Sequence, residues 1–283
     1  MRGSLRYAPV AAAFRLAIHP LLCGILICLG VVVGGRFAAA GELRVQGTEL
    51  QVLQPDGTTL AGRQLVGAQL TLGGPEAAPP VRIDAVTPDP QDPGGEILLY
   101  RFMVRDQGAD GWRPLCPPGP DGLEVGFPLG GSWSARGDYR PSDRKVSLIC
   151  ANSAIGKCLR LGYRPWARLG GASLAPYHQA CTRLLRADYC GDGVSHTRDG
   201  MAVRLHDRQG LQDSEGMVGG RFEAVWGPDG ALCVRQPRLP GQSLDDIVAA
   251  CPRLWGKVGK ACRAELTTSD PKALIRSYHP GRR

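Results

Sequence analysis

His178 and Cys181 lie three residues apart. On a helix that spacing puts both side chains on one face. There an imidazole could take the proton of a thiol and leave a nucleophilic thiolate. Such a thiol must stay unpaired, and the cysteine count argues against it. Of ten cysteines, Cys23 and Cys28 fall in the first forty residues. The other eight are Cys116, Cys150, Cys158, Cys181, Cys190, Cys233, Cys251 and Cys262. An even set in a chain with an export signal reads as four disulfides. Reserving Cys181 for catalysis would leave an odd set. Cys181 is therefore expected to be a bridged cysteine beside a surface histidine.

Metal chemistry is the next candidate. Zinc would need a CxxC pair or a close histidine partner, and the eight cysteines offer neither. Asp188, Asp192 and Asp199 with His196 resemble a calcium cluster at first sight. Calcium loops need several oxygen ligands at tight spacing and a closing bidentate acid. Asp192-Gly193 and Asp199-Gly200 are better explained as turns, because both residue types tolerate positive φ. No metal and no cofactor is expected: P-loop, serine-hydrolase and dinucleotide signatures are absent. The disulfide connectivity stays open among roughly a hundred pairings. Within it a local Cys251–Cys262 bridge is expected, since the two are neighbours in a short segment with little other core.

Asp188 is the acid whose position needs a reason. Residues 175–189 read as a helix, with Pro176 in its first turn and Gly191 just past its end. At ~100° per residue, Tyr177, Leu184, Leu185 and Asp188 fall in one stripe with Cys181. Gln179, Thr182, Arg183 and Arg186 fall opposite, on the expected wet face. A carboxylate in an apolar stripe, at the end where the helix dipole disfavours anions, needs a dedicated partner. The backbone N–H groups of Gly191–Gly193, or Arg164 or Arg198, could supply it. Asp188 is expected to be a structural bracket that ties the helix end to the next hairpin, rather than a catalytic acid.

The elements that position these residues follow an export leader. Residues 1–20 carry Arg2, Arg6 and Arg15 and no acid; LLCGILICLGVVV follows at 21–33, and Ala38-Ala39-Ala40 after it. A positive start, an apolar core and a small-residue site describe a signal peptide over residues 1–40, cleaved near Gly41. An uncleaved anchor would need ~20 apolar residues, and His19-Pro20 and Arg36 bound this run. Leu22 and Ile27 precede Cys23 and Cys28, where lipid attachment calls for a small residue. Without the leader, thirty basic residues face twenty-six acidic ones, against a net charge of +8 for the whole chain. No block of like charge appears, so a nucleic-acid partner is not expected, and no membrane is expected to hold the chain after cleavage.

The mature chain reads as α+β: mostly short antiparallel strands and hairpins, two or three short helices, and disulfides. Residues 41–94 form an N-terminal β-rich region, with a hairpin turn at Pro55-Asp56-Gly57. Pro/Gly-rich loops fall at 73–80 and 87–95, with strands at Val81–Val86 and Glu96–Val104. Asn152 and Ser153 cap a short helix. Turn-linked strands fill 194–235, and 236–283 is a tail with one helix near Leu244–Ala250.

Cys150–Cys158, LGYRPW at 161–166, HQACTRLLRADYCGDG at 178–193 and the later FEAVW and GALC resemble the bacterial ADYC domain. That domain takes its name from the residues Ala187-Asp188-Tyr189-Cys190 here. The resemblance covers about residues 95–235. It implies an exported bacterial protein, and it assigns no activity, catalytic residue or cofactor. The expected role is a non-catalytic binding or structural domain of the cell envelope or the extracellular space, periplasmic or secreted, with an unidentified partner there. The competing expectation is a secreted hydrolase with a site built from His178, Asp188 and neighbours.

Overall fold

The structure, a computed structural model, describes residues 4–6, 41–71, 79–106, 111–212 and 220–280. Of the leader expected over 1–40, only strand β1 (Ser4–Arg6) is described. Most of the loop expected at 73–80 also lies outside the described residues. β2 (Glu42–Gln46), β3 (Glu49–Leu53) and β4 (Thr59–Ala61) form an antiparallel meander. The β3–β4 turn is the one the Asp-Gly pair predicts: Asp56 Oδ1 accepts from the Thr58 N–H at 2.9 Å and Gly57 takes φ 85°.

A larger sheet follows. Its strands are β5 (Gln69–Thr71), β6 (Val81–Pro88), β7 (Leu98–Arg105), β8 (Trp112–Pro114) and β9 (Gly126–Gly130). After the small hairpin of β10 (Ser132–Trp133) and β11 (Tyr139–Arg140), β12 (Val146–Cys150) closes it against β9. The order is β1-β5-β6-β7-β9-β12, with β8 paired to β7. Leu50 and Val52 of the meander pack on Ile83, Tyr100 and Phe102 of this sheet. The Leu50 N–H also donates to the Tyr100 hydroxyl at 3.0 Å, which pins the meander in register. A domain boundary at 94/95 would fall between β6 and β7, which pair along their length.

Helix α1 (Ala154–Arg160) starts where its cap is expected, with Ser153 Oγ accepting from the Gly156 N–H. A two-strand hairpin, β13 (Arg168–Leu169) and β14 (Ala172–Ser173), leads into α2 (Ala175–Arg186). The second half is a four-stranded sheet of β15 (Arg204–Asp207), β16 (Arg221–Gly227), β17 (Gly230–Val234) and β18 (Ile275–His279). Its order is β15-β18-β16-β17. Against it α2 buries Tyr177, Ala180, Cys181 and Leu184, next to Tyr189 and Trp226. Ionic seams join the halves: Arg160 to Asp89 and Asp121, and Arg164 to Asp92 and Glu96.

The fold is α+β, mostly short antiparallel strands with a few short helices and four disulfides. The bonds are Cys116–Cys150, Cys158–Cys181, Cys190–Cys251 and Cys233–Cys262. The local Cys251–Cys262 bridge is therefore not formed. Val258 bridges in parallel to Val234, so the chain after it runs beside β17 and brings Cys262 to Cys233. Cys251, at the end of α3 (Leu244–Ala250), meets Cys190 instead. Nor is 236–283 only a tail, because β18 inserts between β15 and β16. Sequence neighbours lost to partners supplied by the sheet.

Candidate functional site

The end of α2 is where the ADYC residues do their work. The helix stops at Arg186, earlier than its apolar pattern predicts, and Ala187 takes the left-handed conformation at φ 48°. The Ala187 N–H reaches Leu184 O at 2.9 Å and the Asp188 N–H reaches Arg183 O at 2.9 Å. This is the paired closure of a Schellman motif, with alanine in the place glycine usually takes. The Ala187 side chain is fully buried in the second core, so its packing offsets the backbone strain.

Asp188 thus stands beyond the helix rather than in its last turn, and it is completely buried. Its Oδ1 accepts N–H groups from Gly191 at 2.8 Å and Asp192 at 3.1 Å. Oδ2 accepts from the Gly193 N–H at 3.0 Å and from Arg183 Nη1 at 2.6 Å. The cation is Arg183, not Arg164 or Arg198; Arg164 is turned to Asp92. Gly191 and Gly193 sit at φ 72° and 90°. A Cβ at Gly191 would come 2.1 Å from Asp229 O, so only glycine fits that turn.

Arg183 corrects the helical-wheel expectation of a wet face. Gln179, Thr182 and Arg183 are all buried. Thr182 donates to His178 O within the helix, and the loop between β10 and β11 folds over Gln179 and Arg183. Gln179 donates to Gly137 O at 2.8 Å and accepts the Tyr139 N–H at 2.9 Å. Arg183 donates to Arg136 O, to Pro228 O and to the Asp138 carboxylate. Polar residues on the helix serve here as anchors for a covering loop.

The other two motif residues tie the knot to the sheet. The Tyr189 hydroxyl donates to Glu223 Oε1 at 3.0 Å. Glu223, fully buried in β16, also accepts two bonds from Arg238 and one from Ser277. Burial, then the Glu223 charge, push the Tyr189 phenol well above its usual range. His196 packs against Tyr189 with the ring planes tilted by 36° and centroids 5.4 Å apart, and pairs through Nδ1 with Gln242. Cys190 bonds Cys251. Asp192 caps its own turn by accepting the Val194 N–H, and among the described residues no cluster of three metal-ligating side chains forms.

His178 is not on the surface: it is fully buried, beside a Cys181 that is bonded to Cys158. Its Nε2 lies 3.2 Å from Ile155 O, which makes it the donor and leaves Nδ1 unprotonated and without a partner. Trp133 and Tyr139 pack around the ring at 6.2 and 6.4 Å. Burial lowers its pKa from 6.5 to about 4, with the Ile155 bond acting the other way.

An open cleft of about 670 Å³ lies nearby, and neither His178 nor Asp188 lines it. One wall is Val45 and Gly47 of the first hairpin; another is Gly130 with Asp138, Tyr139 and the segment Pro141–Asp143. Pro165 and Trp166, the start of α2, and Pro228-Asp229 at the β16–β17 turn complete it. Trp166 is 42% exposed and covers Gly47. Asp138, Gln179 and Pro228 are themselves partners of the buried knot, so the knot forms the cleft's foundation. Sequence reading missed this site, because its walls come from five separated segments. Two of the buried partners had a visible signal: Glu223 is a lone charge in the apolar run FEAVW, and Arg183 precedes Asp188 by five residues in the motif stretch.

Two antiparallel halves, stapled by disulfides and closed by a buried carboxylate at the end of α2, define the class of domain. Residues 62–240 match the ADYC domain, and the chain belongs to that family. The match begins within the meander-to-sheet connection, well before residue 95. No curated protein and no solved structure matches the chain.

His178 makes the stability depend on acid. Its folded pKa lies below its ordinary value, so the unfolded chain takes up the proton first as pH falls. Stability from this group is complete above about pH 6.5 and is lost as pH falls toward 4. The shift corresponds to about 3 kcal/mol across that window. His178→Gln keeps a donor for Ile155 O but cannot titrate. Urea unfolding at pH 7 and pH 4.5 should show a smaller acid loss in the variant than in the parent; equal losses would contradict the assignment.

Proposed function

We propose that the chain is an exported, disulfide-locked, non-catalytic binding domain of the bacterial envelope or extracellular space, and that the cleft beside Trp166 is its ligand seat. One observation carries the reading. The groups best suited to acid–base or nucleophilic work are buried and committed, whereas the open cleft holds the partly exposed Trp166 and three carboxylates. A general base must reach the proton it takes, and His178 reaches only Ile155 O. Concave seats with aromatic walls and a few polar groups are the usual form of a binding site. The hydrolase reading would need His178 and Asp188 to share a solvent-open pocket, and no contact joins them.

Export is supported by the leader-like first forty residues and by the four disulfides. Among the described residues no helix is long and apolar enough to cross a membrane. N-terminal sequencing of protein recovered from periplasm or medium should begin within a few residues of Gly41. An intact Met1 terminus in the membrane fraction would contradict it.

The seat is tested by adding soluble envelope extract to isotope-labelled mature protein and following amide resonances. Shifts are expected at Val45, Gly47, Asp143, Trp166 and Asp229. Shifts centred on Ile155 and His178, or ester or peptide turnover lost in His178→Gln, would overturn the reading in favour of a hydrolase.

A further inference from the structure

The donor and acceptor inventory of the cleft specifies its occupant more closely than its shape does. The lining carries three carboxylates, Asp138, Asp143 and Asp229, and no lysine, arginine or histidine. This stands out in a chain whose net charge is +8. Asp138 is spoken for by Arg183 and Ser134. The carboxylates of Asp143 and Asp229 take part in no hydrogen bond or ion pair among the described residues; Arg253 lies near Asp229, and burial lowers the pKa of that guanidinium while the Asp229 charge acts the other way. Four prolines, Pro141, Pro165, Pro176 and Pro228, also line the cleft. None of them offers an N–H, and Pro228 O is already taken by Arg183.

Two of the side-chain donors are used, while the Ser142 hydroxyl and the Trp166 indole N–H make no donor bond among the described residues. The Tyr139 hydroxyl donates to Gly130 O at 3.0 Å, and the Gln179 amide to Gly137 O at 2.8 Å. The start of α2 could favour an anion, but Pro176 has no N–H and Ser173 Oγ accepts the one from Ala175. The seat therefore carries three carboxylates and no cationic side chain in its lining. An anion would be repelled there, and a neutral sugar would leave the charge unanswered. A guanidinium presents five donors, a positive charge and no acceptor. It also stacks flat on an indole face, which Trp166 offers.

We infer that the cleft takes an arginine-bearing peptide segment, with one guanidinium on the Trp166 face and paired to Asp143 or Asp229. This rests on the reading of the cleft as the ligand seat. A volume of about 670 Å³ suits a few peptide residues rather than a folded domain.

Calorimetric titration of the mature, disulfide-intact protein tests it, with hexa-arginine, hexalysine, hexaglutamate and cellohexaose as probes. Hexa-arginine should bind more tightly than hexalysine, and the other two should give no heat. Asp143→Asn with Asp229→Asn should weaken hexa-arginine at least tenfold, Trp166→Ala comparably, and Trp166→Phe less. All three positions lie at least partly open to solvent, and equal melting of the variants with the parent checks their folding. Hexaglutamate or cellohexaose binding that is lost in Trp166→Ala but kept in the aspartate variants would overturn the guanidinium assignment and leave the seat standing. Hexa-arginine binding indifferent to every variant, or heat from none of the probes, would overturn the assignment and the seat together.

Discussion

The buried contact between Asp188 and Arg183 is the constraint on which the rest of the molecule hangs. Neither side chain reaches water, and a lone charge in that position would be prohibitive. The pair is tolerated because its polar atoms are answered on both sides: three backbone N–H groups meet the carboxylate, and two carbonyls and a second carboxylate meet the guanidinium. Satisfying that network sets four things at once. It closes α2, shapes the Gly191–Gly193 turn, lays the β10–β11 loop over the helix, and holds the β16–β17 turn at Pro228. Those last two segments are walls of the cleft. A buried ion pair is weak support for stability in itself; its value here is that no other arrangement of these loops would satisfy it.

A second buried network repeats the device one strand away. Glu223, Arg238, Tyr189, Ser277 and the Trp226 indole are linked through bonds of 2.8 to 3.0 Å. Tyr189 joins the two networks, being the residue after Asp188. The disulfides then fix the same region covalently: Cys158–Cys181 ties α1 to α2, and Cys190–Cys251 ties the turn to α3. Each such bond contributes roughly 2–4 kcal/mol by constraining the unfolded chain. The knot therefore has two independent safeguards, one electrostatic and one covalent.

Much of the local structure was legible from residue types. Ser153 caps α1, Pro176 opens α2, Asp56-Gly57 turns a hairpin and Leu244–Ala250 is a helix, each for the local reason its residues supply. The burial of Asp188 and its need for a partner also followed from helical geometry. What escaped was everything decided at long range. Gln179 and Arg183 looked solvated because a helical wheel does not know that a loop forty residues earlier will cover it. His178 looked exposed for the same reason. Cys251 looked like the partner of Cys262 because sequence distance says nothing of Cys262 running beside β17 to Cys233 while Cys251 meets Cys190. The cleft was invisible for want of any local pattern.

The central claim is that Asp188 is structural, and one substitution tests it directly. Asp188→Asn preserves shape but removes the charge that answers Arg183 and the three amides. Denaturant unfolding under oxidising conditions should show a loss of about 3 kcal/mol, between the loss of charge-assisted hydrogen bonds and the removal of one member of a buried pair. A variant as stable as the parent that has lost a measured activity would contradict the account and place Asp188 in a functional site.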